Sequence, residues 1–516
     1  MRDDSPRTGS LQSRGLVDRR SVLQVAAGTG VGFGLGTLVG VEVANDDDDG
    51  DDGQRSSFDV TETTTARSTT SRDDDRPTTV TIHADSRFAE IGDEVVDELH
   101  GAGLGGDVEV EFLEGPHTTI TRQNRYQQLL EAEQPEPTIM MMDSGWAMPF
   151  LRNFPFPNLS ERFSAPVASR VENEYVEPLV ETASDRDGAL YGLPVFVQAP
   201  TIQYRKDLLE TAGYDPEGAN WATDPPDWEL FSQVTKDTME QTDTQGYTFQ
   251  ANRYIGLSCC TFNEVMSSLG GAYFGSPEKY LFGPVGERPV TVEEDPVLDA
   301  LRLLRSFIHG TDAPDTLDRV AGDIAPAEVL EYTEEPSRNP FTEGRVVMHK
   351  NWPYAIEINA REEQFGSDLG VMPLPTGVPR SRTDYPETGG SVAALGGWHF
   401  LVNPYAPSDL QKQAVSVLEA VTTDRVRRFL FEKLALLPPE TGLFSSLPAD
   451  ANPLGPYLPQ LAYAVENTIP RPVTEVWPQE SQRVVERVHA ALSGDSTPGA
   501  AMTALADDLQ TVEAAD

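Results

Sequence analysis

The chain reads as an α/β protein of the doubly wound kind, and three observations predict this. Strand and helix patterns alternate strictly between residues 79 and 142. The connections are short enough for right-handed βαβ crossovers, which makes a parallel sheet the expectation. The third strand of the series is almost wholly apolar and runs straight into an aspartate, Asp143.

Residues 79–83 form a short β-branched strand. Phe88, Ile91, Val95 and Leu99 then fall at helical spacing, with Gly101 and Gly103 ending the helix. In 107–113, Val108, Val110 and Phe112 share one face of a strand, and Glu109 and Glu111 the other. A polar helix over about 118–133 leads to the apolar strand 138–142. In open α/β sheets ligands sit beyond the carboxyl ends of strands. Asp143 and Trp146 stand at such a place, as do Asp85, Ser86 and Arg87. Further along, 190–204 is a second extended apolar stretch, followed by a helix over 206–212 that Gly213 ends. Val297, Leu298, Leu301, Leu304 and Ile308 mark an amphipathic helix. Residues 346–348 and 369–372 read as strands and 483–492 as a late helix, without internal repeats.

The N-terminus carries a different message. Asp18-Arg19-Arg20-Ser21-Val22-Leu23 sets an arginine pair before a weakly apolar run from about Val25 to Val43. This resembles a twin-arginine export signal. Seven of the residues 26–36 are glycine or alanine, five of them glycine, a poor composition for a core helix. Glu42-Val43-Ala44 is a weak cleavage context, and an uncleaved run of about 20 residues barely spans a bilayer. Residues 45–78, rich in Asp, Thr and Ser, lack the apolar side chains that offset ordering entropy and read as a disordered spacer.

Acidic residues outnumber basic ones by 83 to 39, a formal charge of −44. Such a surface repels nucleic acid and anionic membranes, so the membrane is met only through the N-terminal segment. It also self-repels unless salt screens it, the Debye length shrinking to about 3 Å at molar salt. The charge therefore points to a halophilic, haloarchaeal habitat and says little about mechanism. The two cysteines, Cys259 and Cys260, are neighbours, too close for an ordinary loop-closing disulfide and too few for a metal site. Small buried residues are the expectation, with a strained vicinal disulfide as the alternative outside the cell. Asn158-Leu159-Ser160 is a glycosylation sequon, usable only on an exported, exposed chain.

Four segments, taken in order, resemble the extracellular solute-binding protein family of ABC importers that includes maltose- and trehalose-binding proteins. The first is Ala189-Leu190-Tyr191-Gly192-Leu193-Pro194 with Tyr204-Arg205-Lys206-Asp207-Leu208-Leu209 and Ala212-Gly213. The second is Phe341-Thr342-Glu343-Gly344-Arg345-Val346-Val347-Met348 with Asn351-Trp352-Pro353-Tyr354 and Gly370-Val371-Met372-Pro373-Leu374-Pro375. The third is Gly396-Gly397-Trp398 within 389–402, and the fourth Arg471-Pro472-Val473-Thr474-Glu475-Val476-Trp477 with Leu492-Ser493-Gly494. The resemblance implies a two-lobed periplasmic-binding-protein-like fold with hinge crossover strands. The lobes would comprise 79–197 with 393–459, and 198–392 with 460–516. It further implies a small polar solute as ligand, permease and ATPase subunits as partners, and no cofactor or catalysis. Val197-Gln198-Ala199 and Arg253-Tyr254-Ile255-Gly256-Leu257 depart from the family at positions where carboxylates are frequent.

Sugars present hydroxyls and flat C–H faces, so their sites need planar hydrogen-bonding groups and aromatic platforms. The candidates for hydroxyls are Asp143, Gln198, Gln250 and Arg471. Those for platforms are Trp146, Tyr254, Trp352, Tyr354, Trp398 and Trp477, with Gly397 on the hinge strand beside them. Four of the six tryptophans lie in segments matching the family's cleft, although aromatics more often fill cores. Asp143 has a competing role as a helix N-cap, and Arg471 as a structural ion-pair partner or a bidentate carboxylate binder. The rival reading is an exported carbohydrate-active hydrolase. Against it, there is no G-x-S-x-G elbow, no H-E-x-x-H and no phosphate-binding loop, and seven scattered histidines show no metal-like spacing. A surface-adhesion protein of repeated β modules is the third reading, and the βαβ order argues against it.

Overall fold

The computed structural model describes residues 78–116 and 119–515. The arginine pair, the apolar run and the acidic spacer lie outside the described residues. Among the described residues there are eleven strands: β1 (Thr78–Ala84), β2 (Val108–Glu114), β3 (Ile139–Asp143), β4 (Gly192–Gln198), β5 (Thr201–Arg205), β6 (Gln245–Thr248), β7 (Val346–Asn351), β8 (Leu369–Met372), β9 (Ala393–Ala394), β10 (Gly396–Val402) and β11 (Thr468–Ile469). They form a five-stranded sheet in the order β2-β1-β3-β10-β4, a four-stranded sheet in the order β6-β7-β5-β8, and a short β9–β11 ladder.

The run of apolar residues in β3 has a direct cause. Side chains alternate across a strand. Ile139 and Met141 join Val80, Ile82, Phe400, Val402 and the helix Ser408–Val421 on one face. Met140 and Met142 join Tyr126, Leu130, Phe150 and Leu401 on the other. Both faces are covered over residues 139–142, so the first polar position comes only at Asp143, where the strand ends, as expected for a central strand of such a sheet. β1 pairs in parallel with β2 and with β3. The expectation of a parallel sheet fails for the other half, because β10 returns antiparallel to both β3 and β4. The sheet is therefore mixed.

The apolar stretch 190–204 is two strands belonging to different sheets. β4 ends at Gln198, Ala199-Pro200 carries no ladder, and β5 opens the second sheet between β7 and β8. Pro200 has no N–H to donate, which suits the point of transfer. A second passage runs through Leu395, whose N–H donates to Ile469 O at 2.9 Å, between β9 in the one region and β10 in the other. A third follows Leu436, where Val197 N–H donates to Leu437 O at 3.0 Å. Beyond it Leu437, Phe444, Leu447, Leu454 and Leu458 share the core of the second sheet with the helices Asp295–His309, Trp477–Ser493 and Pro498–Glu513. Two cores, each with its own sheet, are thus joined by three chain passages. Among the described residues no helix is long and apolar enough to cross a membrane.

Candidate ligand-binding cleft

The third strand delivers Asp143 to the edge of the first core, with its side chain 14% exposed. Its Oδ1 accepts the N–H of Gly145 at 2.8 Å, closing an Asx turn, while Trp146 rather than Asp143 caps the next helix. The same Oδ1 lies 3.5 Å from Nη1 of Arg471, which the second region supplies just after β11. Gly145 is required for this approach: a Cβ there would sit 2.4 Å from that nitrogen. Nearby, Glu475 takes an ion pair from Arg152 and another from Arg186 at 3.4 Å, both from the first region. The loop 470–476 therefore holds the first region through two separate sets of charges.

Next to Arg471 lies a π-helical turn, Leu257–Thr261. It carries Cys259 and Cys260, unbonded and buried, with their sulfurs 2.7 Å apart. Hydrogen bonding between the two thiols lowers Cys259 from its ordinary value and raises Cys260. Both sulfur-bearing side chains and Ala394 of the hinge form a small apolar group, against which Trp352 packs. Trp352 also lies over the hinge strand, since a Cβ on Gly396 would fall 2.6 Å from its ring and 3.3 Å from Cβ of Gln198. Tyr254 donates its hydroxyl to Glu334 at 2.8 Å, and burial followed by the Glu334 charge pushes that phenol well above its ordinary range. Burial and the neighbouring Glu335 carboxylate do the same to Tyr354.

The structure thus gathers Asp143, Arg471, Gln198, Trp352 and Tyr254 around the hinge and the cysteine turn. Trp398 faces Asp143 across the β3–β10 ladder and receives the Arg122 guanidinium 5.0 Å above its ring. Four further candidates turn inward. Trp146, 4% exposed, packs edge-on to Trp398 at 5.5 Å. Trp477, 2% exposed, packs against Tyr273. Gln250 commits its amide nitrogen to Ser337 Oγ at 2.7 Å and Lys350 O at 2.8 Å. Gly397 is hemmed in by Leu179 and Phe196, leaving no space on either for a contact beyond packing. Sequence reasoning did not single out Gly145, Gly396, Glu334 and Glu475 as site residues, although Gly396 and Glu475 stand in the third and fourth family-like segments. The Asp-Ser-Gly turn after an apolar strand is a local signal for Gly145; Glu334 has none.

A buried ion pair anchors the hinge. Lys350 Nζ lies 2.6 Å from Glu264 Oε2, both side chains at most 3% exposed, and the other Glu264 oxygen accepts the Ala394 N–H at 3.2 Å. Behind the Arg471 loop, a cavity of about 20 Å³ lined by Asn263, Tyr273, Ile469 and Pro472 accommodates no more than a water. Among the described residues no cluster of three or more His, Cys, Asp or Glu side chains is placed to hold a metal ion.

The family model for bacterial extracellular solute-binding proteins matches residues 98–427. A Deinococcus radiodurans protein named as a probable ABC transporter-binding protein is 27% identical over 413 residues, covering 78% of this chain and 86% of the relative. Maltose-bound MalE3 of T. maritima superposes with a TM-score of 0.66 at 24% identity, covering 84% of this chain and 99% of that one. A solute-binding protein of Thermotoga lettingae holding α-D-tagatose gives 0.64 at 17% identity, covering 85% and 100%. One from Agrobacterium radiobacter K84 holding ribitol gives 0.60 at 15%, covering 85% and 99%. At these identities the structural likeness speaks for the two-lobed fold.

Proposed function

The chain belongs to the bacterial extracellular solute-binding protein family, and from that premise we propose that it is the substrate-binding subunit of an ABC importer, capturing a sugar or sugar-like polyol between its two lobes. The observation that carries this reading is the meeting of Asp143 from one lobe with Arg471 from the other, beside Trp352 at the hinge. A carboxylate and a guanidinium match paired hydroxyls, and an indole face matches the C–H face of a pyranose. The maltose, tagatose and ribitol held by proteins of the same fold support that solute class.

The solute contacts in this reading are Asp143, Gln198, Tyr254, Trp352, Tyr354, Trp398 and Arg471, with Trp146, Gln250, Gly397 and Trp477 holding them in place. A ligand touching both lobes gains its full set of contacts only when they close, so binding shifts the hinge toward the closed state. The permease and its ATPase then meet that closed form. We assign 78–197 with 396–440 to the first lobe and 201–394 with 457–515 to the second. The final transfer then runs between Glu440, which pairs with Arg170 and Arg427 of the first lobe, and Tyr457, whose hydroxyl donates to Leu369 O of β8, and so ends before residue 459. The family implies an exported protein. Export through the Arg19-Arg20 signal, tethering by the apolar run and adaptation to high salt rest on the sequence alone.

A thermal-shift screen with maltose, tagatose, ribitol, peptides and polyamines tests the reading. Solute at a hundredfold excess over its Kd stabilises the folded state by about 2.7 kcal/mol. One sugar or polyol should raise the Tm, and Trp352→Ala should abolish the rise. A rise with peptides or polyamines and with no carbohydrate, or turnover of an oligosaccharide, would overturn it.

A further inference from the structure

We propose that Cys259 and Cys260 are a reversible modification site, closing to a disulfide between neighbouring residues when the protein meets a thiol oxidant. Both sulfurs emerge from the π-helical turn on the same side, 2.7 Å apart. A disulfide bond is about 2.05 Å long, so the sulfurs need approach by only about 0.7 Å, while the peptide between them, whose Cα atoms are about 3.8 Å apart, twists to complete the ring. The turn itself is firmly held: Tyr273 donates to Ser258 O at 2.7 Å and Thr261 to Gln250 O at 2.7 Å. The thiols therefore stay together, and chain motion does little to part them.

Their surroundings differ from those of inert core cysteines. They stand apart from the large cores, in a group with Ala394 and Trp352. The Arg471 guanidinium is close enough to favour the thiolate of either. Either sulfur can attack, the other then closing the bond. The chain has no third cysteine, so each has a single intramolecular partner.

The step balances with a small disulfide such as oxidised glutathione. With Cys259 attacking first, its thiolate attacks one glutathione sulfur, breaking the oxidant's S–S bond and releasing the first glutathione thiolate. Cys260 loses its proton and its sulfur displaces the second glutathione, forming the Cys259–Cys260 bond. The protein loses two electrons and two protons; the oxidant becomes two thiols. Oxidation removes both thiol protons from the wall beside Arg471 and Trp352 and stiffens the turn. The inference concerns the sulfurs alone and stands whatever the solute is.

The test refolds the full chain from denaturant in excess oxidised glutathione, so that burial does not limit access, and in parallel treats native protein with diamide. Each sample is then denatured, alkylated and read by intact and peptide mass. The expected result is a monomer lighter by two hydrogens, unalkylated, with the loss confined to the peptide holding both cysteines and reversed by reductant. Cys260→Ser should instead keep an alkylatable thiol or carry one glutathione. Recovery of both cysteines alkylated under both treatments, two glutathione adducts on one chain, or disulfide-linked dimers would overturn the proposal.

Discussion

Exchanging Asp143 for Asn removes one charge from the inter-lobe pair yet keeps an oxygen to accept the Gly145 N–H, so the turn after β3 is retained. Arg471→Gln removes the opposite charge. At 3.5 Å the gross attraction is about 5 kcal/mol at an effective dielectric of about 20, before desolvation is subtracted. With side chains 14% and 11% exposed, the pair stands between exposed pairs of about 0–1 kcal/mol and buried pairs whose disruption costs about 3–5 kcal/mol. A coupling of about 1–3 kcal/mol follows, which is about 5–150-fold in the ratio of closed to open protein. Small-angle X-ray scattering on wild type, both single variants and the double variant reads that ratio through the radius of gyration. Each single exchange should expand the average molecule, and the second exchange should add little to the first. Single effects that sum in the double variant to within about 0.5 kcal/mol would refute the coupling.

Three more outcomes follow from other charges. Glu475→Gln should open the lobes at low ionic strength by about 1 kcal/mol and have no effect at molar salt, because Arg152 and Arg186 are 54% and 48% exposed and readily screened; scattering across a salt series checks this. Burial raises Glu480 to about 8, where it shares the single Arg288 guanidinium with Glu513. Its stabilising contribution is therefore complete below about pH 4.5 and lost as pH rises through about 8, and Glu480→Gln should flatten the fall in Tm between pH 6 and 9. Burial lowers His399 to about 3, with Nε2 hydrogen-bonded to Thr182 at 2.9 Å. Stability from the neutral ring is present above about pH 6.5 and lost as pH falls toward 3, so His399→Gln should reduce proton uptake on denaturant unfolding near pH 5.5 by about one proton.

Local pattern made β1 to β3 legible, because period-two alternation and a fully apolar central strand are properties of a few consecutive residues. The same pattern made 190–204 look continuous; hydropathy does not change where Pro200 hands the chain from one sheet to the other. The antiparallel return of β10 was not legible from spacing, since β3 and β10 lie far apart along the chain and meet only through tertiary pairing. Residue type identified Asp143 and Arg471 as polar candidates, but their contact depends on Gly145 having no side chain. Trp146 and Trp477 illustrate the converse. An indole serves a core as readily as a cleft, and only neighbours such as Trp398 and Tyr273 decide which.

The three passages between lobes have a consequence for biosynthesis. The first sheet needs β10 to join β3 to β4, so its central ladder is unfinished until residue 402 has left the ribosome. The second core waits longer still, for the helix Pro498–Glu513. Such widely separated pairings fold slowly and leave apolar strand edges unpaired in the growing chain. Neither lobe exists as an uninterrupted stretch of sequence, so truncation at any single point leaves at least one core incomplete. A chaperone that shields β3 and β4 until β10 has emerged covers the interval in which their edges stand unpaired.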